Sequence, residues 1–113
     1  MIPADVRIFV CTEPVDMRRS FDGLALAARE RLGQDPRQGG LFAFVNRRAN
    51  RCKILWFDRN GYCLLYKRLH QALFVVPHAP DEVAVRLDGA ALVQLLNGVA
   101  RPLRPGRSGA RYS

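Results

Sequence analysis

The tetrapeptide Asp58-Arg59-Asn60-Gly61 does most to limit how this chain can fold. It is the strongest turn signal in the sequence, set between two apolar and aromatic runs, Cys52 to Phe57 and Tyr62 to Arg68. It fits either a two-residue Asn-Gly turn or a type I turn with a glycine bulge, and both connect antiparallel strands. A register follows. With Phe57 opposite Tyr62, Lys53 faces Tyr66 and Arg51 faces Arg68. A third run, Leu41 to Asn46, precedes these, and placing Asn46 opposite Arg51 sets Phe44 opposite Lys53. Phe44, Lys53 and Tyr66 then form one cross-strand row, and the three runs form a β-meander.

Around the meander the pattern predicts helices and short strands. Val6 to Cys11 reads as a first strand, ended by Glu13-Pro14. Ser20 can cap a helix whose apolar face is Phe21, Leu24, Ala25, Ala28 and Leu32, with Gly33 as its stop; Asp16 is an alternative cap one turn earlier. Residues 34–40 form a connecting loop. Phe74 to Val76 can add a short edge strand limited by Pro77, and Glu82 to Leu87 can pair briefly. Asp88 caps a second helix with the stripe Leu92, Leu95, Leu96 and Val99, loosened by Gly98. The expected fold is α+β: a small antiparallel β-meander sheet packed against two helices, in a single domain over residues 1–100. Residues 101–113, rich in Arg, Pro and Gly, read as a disordered basic tail, either a phosphate-binding arm or an unselected extension.

Composition matters chiefly through charge. Of 113 residues, 18 are Lys or Arg against 10 Asp or Glu, for a net charge of +8. That balance favours nucleic acid, an anionic membrane surface or an acidic protein as partner. All the cations except Lys53 and Lys67 are arginine, whose planar donor fork suits phosphate, although GC-rich coding also enriches arginine. The meander concentrates six of them at one edge: Arg47, Arg48, Arg51 and Lys53 near the first turn, Lys67 and Arg68 at the end of the last strand. Opposed like charges cost stability unless an anion or water compensates them. Tyr66, and with it Phe44, could stack a base or sugar beside them. The plainer reading makes Phe44 and Tyr66 half-buried sheet residues covered by the Lys53 stem. Arg18 and Arg19 form a secondary candidate patch, which ion pairing with Asp16 and Asp22 at the helix start also explains.

Little in the chain points to catalysis. Metal-dependent nucleases need converging carboxylates, and the only glutamates are Glu13, Glu30 and Glu82. Cys11, Cys52 and Cys63 have no metal-ligand spacing, and the latter two lie in apolar strand patterns where buried thiols are inert. His70 and His78 leave room for a small histidine-dependent ribonuclease, but neither has a partner in the sequence to tune it. No cofactor, metal or membrane span is expected, and the unpaired cysteines with no secretory signal fit the cytoplasm.

Three ordered motifs resemble a known family. Asp16-Met17-Arg18-Arg19-Ser20-Phe21-Asp22-Gly23-Leu24, then Lys53-Ile54-Leu55-Trp56-Phe57-Asp58 with Gly61, then Leu64-Leu65-Tyr66-Lys67-Arg68-Leu69 are similar to the small accessory protein of bacterial insertion sequences of the IS-sixty-six type, often called TnpB or the second open reading frame. The resemblance extends from about Pro3 to Val99. It implies a bacterial cytoplasmic protein that assists transposition, with catalysis in a separately encoded transposase and no catalytic residues here.

Together these readings predict a non-enzymatic factor that binds nucleic acid, DNA foremost, through Arg47, Arg48, Arg51, Lys53, Tyr66, Lys67 and Arg68. The alternative is an adaptor that docks its basic edge on the partner transposase. Trp56 and Phe57 point to opposite faces of their strand, so one face needs the helices and the other could take a second copy, as in a homodimer.

Overall fold

Continuous burial along the central strands decides the architecture. Leu41–Val45 (β2) is buried at every position, the signature of a strand covered on both faces. The computed structural model describes residues 6–101. In chain order these form β1 (Ile8–Cys11), α1 (Phe21–Leu32), a single 3-10 turn (Pro36–Gln38), β2 (Leu41–Val45), β3 (Arg51–Asp58), β4 (Gly61–Arg68), β5 (Ala72–Leu73), β6 (Ala84–Leu87), α2 (Gly89–Asn97) and β7 (Val99–Ala100). The α+β class holds, and β2, β3 and β4 form the expected antiparallel meander. The sheet around it is larger and mixed, with the order β4-β3-β2-β1-β6. β1 runs parallel to β2, because α1 carries the chain back to the end from which it started.

The register read from the turn is the one observed: Phe57 pairs with Tyr62, Lys53 with Tyr66, Arg51 with Arg68, and Phe44 with Lys53. The turn itself differs from both forms expected. Asp58 pairs with Gly61, so the two loop residues are Arg59 and Asn60, and Arg59 takes the left-handed conformation at φ 56°.

Two apolar layers flank the sheet. On one face α1 sets Leu24, Ala25, Ala27, Ala28 and Leu32 against Phe42, Phe44 and Leu55. Each fully buried large side chain there contributes roughly 1.5–3 kcal/mol relative to exposure. On the other face Phe74, Leu92 and Leu95 close over Ile8, Val10, Ala43, Val45 and Ile54. The helices therefore divide between the faces instead of sharing one. Ser20 is the N-cap of α1, but its hydroxyl makes no capping hydrogen bond. Asp16 is not a cap; its carbonyl accepts from Arg19 N–H in a separate turn. Asp88 does cap α2, accepting from Ala91 N–H at 2.8 Å.

The later short strands are placed differently from the sequence reading. Phe74 is a buried plug with no strand partner, and the adjacent β5 pairs with β7. Val99 belongs to β7 and is exposed, so it does not extend the α2 stripe. β6 pairs with β1 over four residues, firmer than a brief contact. Gly98, at φ 70°, brings its Cα so close to Leu69 that a Cβ there would lie 2.5 Å from Leu69 Cδ1. Of the basic tail, only Arg101 lies within the described residues; the rest of that expectation falls outside them.

Candidate nucleic-acid interface

The turn joining β2 to β3 is fixed by its own backbone. Ala49 N–H donates to Asn46 carbonyl at 2.9 Å, closing a four-residue turn with Arg47 and Arg48 at its centre. Asn46 Oδ1 accepts from the N–H groups of Asn50 and Arg51 at 3.0 and 2.9 Å, and Asn46 Nδ2 donates to Asn50 Oδ1. Neighbouring segments hold it from outside, since Leu69 and Phe74 N–H donate to the Asn50 and Ala49 carbonyls. A turn pinned this way presents its two central side chains to solvent, and Arg47 and Arg48 are exposed.

Lys53 lies beneath this tip. It is 7% exposed, and its Nζ donates to Met17 and Arg19 carbonyls, both at 2.7 Å. Backbone carbonyls thus replace the carboxylate that a buried ammonium would usually need. The effect is to tie the segment before α1 down onto the sheet, assisted by Val15 N–H donating to Val45 carbonyl at 3.0 Å. On that segment Asp16 and Arg18 form a two-pronged ion pair, closest at 2.6 Å from Arg18 Nη2 to Asp16 Oδ2. The Arg18 side-chain and backbone donors hold the Asp16 carboxyl well below its ordinary range, at about 2, and Asp16 in turn raises the Arg18 pKa.

Between the pinned turn and the tied segment runs a cleft of about 670 Å³, lined in part by Asp16, Arg18, Arg47, Arg48, Arg51 and Tyr66. Four arginines face one carboxylate there. Tyr66 is 48% exposed at its margin. Arg51 Nη1 donates to Tyr66 Oη at 2.6 Å, and Lys53 Nζ lies 4.8 Å from the ring centroid. The ring is oriented by two cations and keeps an open side. Such a site can hold a polyanion by its phosphates and stack a flat group against the tyrosine.

The sequence-predicted residues thus separate. Arg47, Arg48, Arg51 and Tyr66 come together, and Arg18, read as part of a separate patch, joins them. Arg68 is exposed opposite Arg51 in the register. Lys67 lies elsewhere: its Nζ donates to Leu96 carbonyl at 2.7 Å, supplying a cation to the last turn of α2. Lys53 is a buried tie, and Phe44 is wholly buried under α1 and cannot stack a base. Arg19 folds back onto Gly23 carbonyl at 3.4 Å. Asn46 and Asp16 were missed as parts of the site. Asn46 ends an apolar run before two arginines, which is a turn signal, but nothing local announces that Asp16 lies across from it.

His70 and His78 are exposed, and among the described residues no group of three His, Cys, Asp or Glu side chains gathers as metal ligands would. Burial pushes the Cys11 thiol up and the Cys52 thiol up to about 12. Cys63 is only half-buried, not enclosed as its strand pattern suggested. No helix among the described residues is long and apolar enough to cross a membrane.

A family model described as IS66 Orf2 like protein matches residues 6–103. The chain is 39% identical over 101 residues to the uncharacterized protein y4hO of Sinorhizobium fredii (strain NBRC 101917 / NGR234), covering 88% of this chain and 87% of that protein. It is 36% identical over 76 residues to the uncharacterized protein y4jC of the same organism, covering 67% of this chain and 65% of that one. No solved structure matches. With its family's profile spanning nearly all of the described fold, the chain belongs to the IS66 Orf2-like family, whose place is an accessory one in insertion-sequence transposition.

Proposed function

We propose that this protein is a non-catalytic transposition factor that holds a nucleic-acid backbone, DNA foremost, in the cleft beside the β2–β3 turn. Arg47, Arg48 and Arg51 contact phosphates, Arg18 adds a fourth donor fork, and Tyr66 stacks an exposed base or sugar. Chemistry at the DNA ends belongs to the separately encoded transposase, which meets this factor on DNA in the bacterial cytoplasm. One observation carries the reading: four arginines from two distant segments converge on a cleft with one carboxylate to offset them. Contacts of this type position the backbone and carry no sequence code by themselves.

The test is a titration of duplex and single-stranded DNA with wild-type protein and the Arg47/Arg48/Arg51→Ala variant across a salt series. Loss of three phosphate contacts lowers the slope of log affinity against log salt by about 0.9 per contact on duplex. Equal affinity of the two proteins overturns the assignment of the cleft. Retained binding of the partner transposase by a wild-type protein with no DNA affinity favours the adaptor reading.

A further inference from the structure

The two edges of the sheet are built differently. β6, at one edge, is four residues long and carries Arg86 exposed near its centre. Short length and outward charge are ordinary ways of preventing an edge from pairing with another chain. β4, at the other edge, is eight residues long and pairs with β3 at every position from Gly61 to Arg68 without a bulge. Among the described residues no strand lies on its outer side. From Tyr62 to Tyr66 this edge carries neither a charge nor a proline. Half of its backbone N–H and C=O groups point outward, away from β3.

We infer that β4 pairs with β4 of a second copy of this chain, antiparallel and centred on Leu64, to form one continuous sheet. Charge decides the direction. A parallel pair would set Lys67 against Lys67 and Arg68 against Arg68, and directly opposed like charges are destabilising. The antiparallel pair about Leu64 sets Tyr62 against Tyr66, Cys63 against Leu65, Gly61 against Lys67 and Asn60 against Arg68 of the second copy. Lys67 and Arg68 then each meet a neutral residue, and Asp58, the last residue of β3, lies beside Gly61. The same register covers exposed apolar surface, because Leu65 is 40% exposed and Cys63 half-buried.

This arrangement has a two-fold axis perpendicular to the sheet, so both copies of α1 lie on one side of it. If the cleft binds DNA as proposed above, the two clefts open on a common face. Their Arg68 residues stand roughly 27 Å apart along the strands at ~3.4 Å per residue. The dimer itself does not depend on that reading and is tested without DNA.

Light scattering on the purified full-length chain at tens of micromolar is expected to give twice the 12.7 kDa of one chain. Leu65→Lys, which adds a charge beside the axis, is expected to give the single-chain mass with an unchanged far-ultraviolet circular dichroism spectrum. In Leu65→Cys the new thiol faces Cys63 of the second copy, and mild oxidation is expected to yield a covalent dimer on a non-reducing gel. Cysteines directly opposed in an antiparallel pair have Cα atoms about 4.5–5.5 Å apart, inside the disulfide range. A monomeric wild type, a Leu65→Lys protein that stays dimeric, or a dimeric Leu65→Cys protein that forms no cross-link overturns the proposal.

Discussion

Lys53 and Met17 are joined by a 2.7 Å hydrogen bond from ammonium to carbonyl across 36 positions of sequence. The same ammonium serves Arg19 carbonyl, so one buried side chain holds the wall of the cleft against its floor. Lys53→Met keeps the apolar stem and removes the donor. Leaving buried acceptors unpaired costs about 1–3 kcal/mol. Urea unfolding is expected to show that loss, and hydrogen exchange at the amides of residues 15–19 is expected to quicken. DNA affinity falls with it, although Lys53 touches no phosphate. Unchanged exchange in that segment would show that Lys53 is not its anchor.

Asp16 is the one carboxylate lining the cleft, and it engages Arg18. Because its folded pKa of about 2 lies below the ordinary carboxyl value of 3.8, the pair's contribution is present above the unfolded value and is lost as pH falls through the folded one. At neutral pH Asp16 is therefore ionised and competes with phosphate for Arg18. Asp16→Asn is expected to raise DNA affinity severalfold and to steepen the salt slope by about 0.9, one further phosphate contact. A carboxyl carbon chemical-shift titration of the wild type checks the low pKa.

Lys67 separates structural from binding roles among the meander cations. Its bond to Leu96 carbonyl places a cation at the end of α2, an arrangement that contributes about 0.3–1 kcal/mol. Lys67→Met is expected to lower thermal stability by that order and to leave DNA affinity and its salt slope close to wild type. Loss of DNA affinity comparable to Arg47→Ala would return Lys67 to the interface.

Arg59 occupies a left-handed backbone position in the β3–β4 turn, at φ 56°. A non-glycine residue there costs roughly 1–2 kcal/mol. Arg59→Gly is expected to recover about 1 kcal/mol after the greater freedom of glycine in the unfolded chain is counted. The check is a rise in melting temperature with DNA affinity unchanged, since Arg59 lies at the opposite end of the meander from the cleft.

The meander was legible because its information is local. A turn signal and alternating apolar positions determine which residues face each other: Phe57–Tyr62, Lys53–Tyr66, Arg51–Arg68 and Phe44–Lys53 all pair as read, and Asn46 N–H donates to the Arg51 carbonyl it was set against. The parallel β1–β2 pair was not legible, since no turn joins the two strands and their relation depends on where α1 sets the chain down. The same limit split the site. Arg47, Arg48, Arg51 and Tyr66 fall within one meander and were found together, while Arg18 reaches them only through the Lys53 tie. Proximity in the sequence also misled: Lys67 follows Tyr66 directly, yet alternation sends it to the opposite face, where α2 takes it up.

The position of β1 bears on how the molecule is made. It pairs with β2 on one side and with β6 on the other, yet it leaves the ribosome before either. Residues 41–68 can organise from short-range contacts as they emerge, whereas closing long loops is slower. Ile8–Cys11 gains its first neighbour once Leu41 to Ala43 has been synthesised, and its second only when Ala84 to Leu87 is out. Translation of the segment around Leu87 therefore completes the sheet, and a nascent chain stalled short of it exposes one side of its first strand to any other strand nearby.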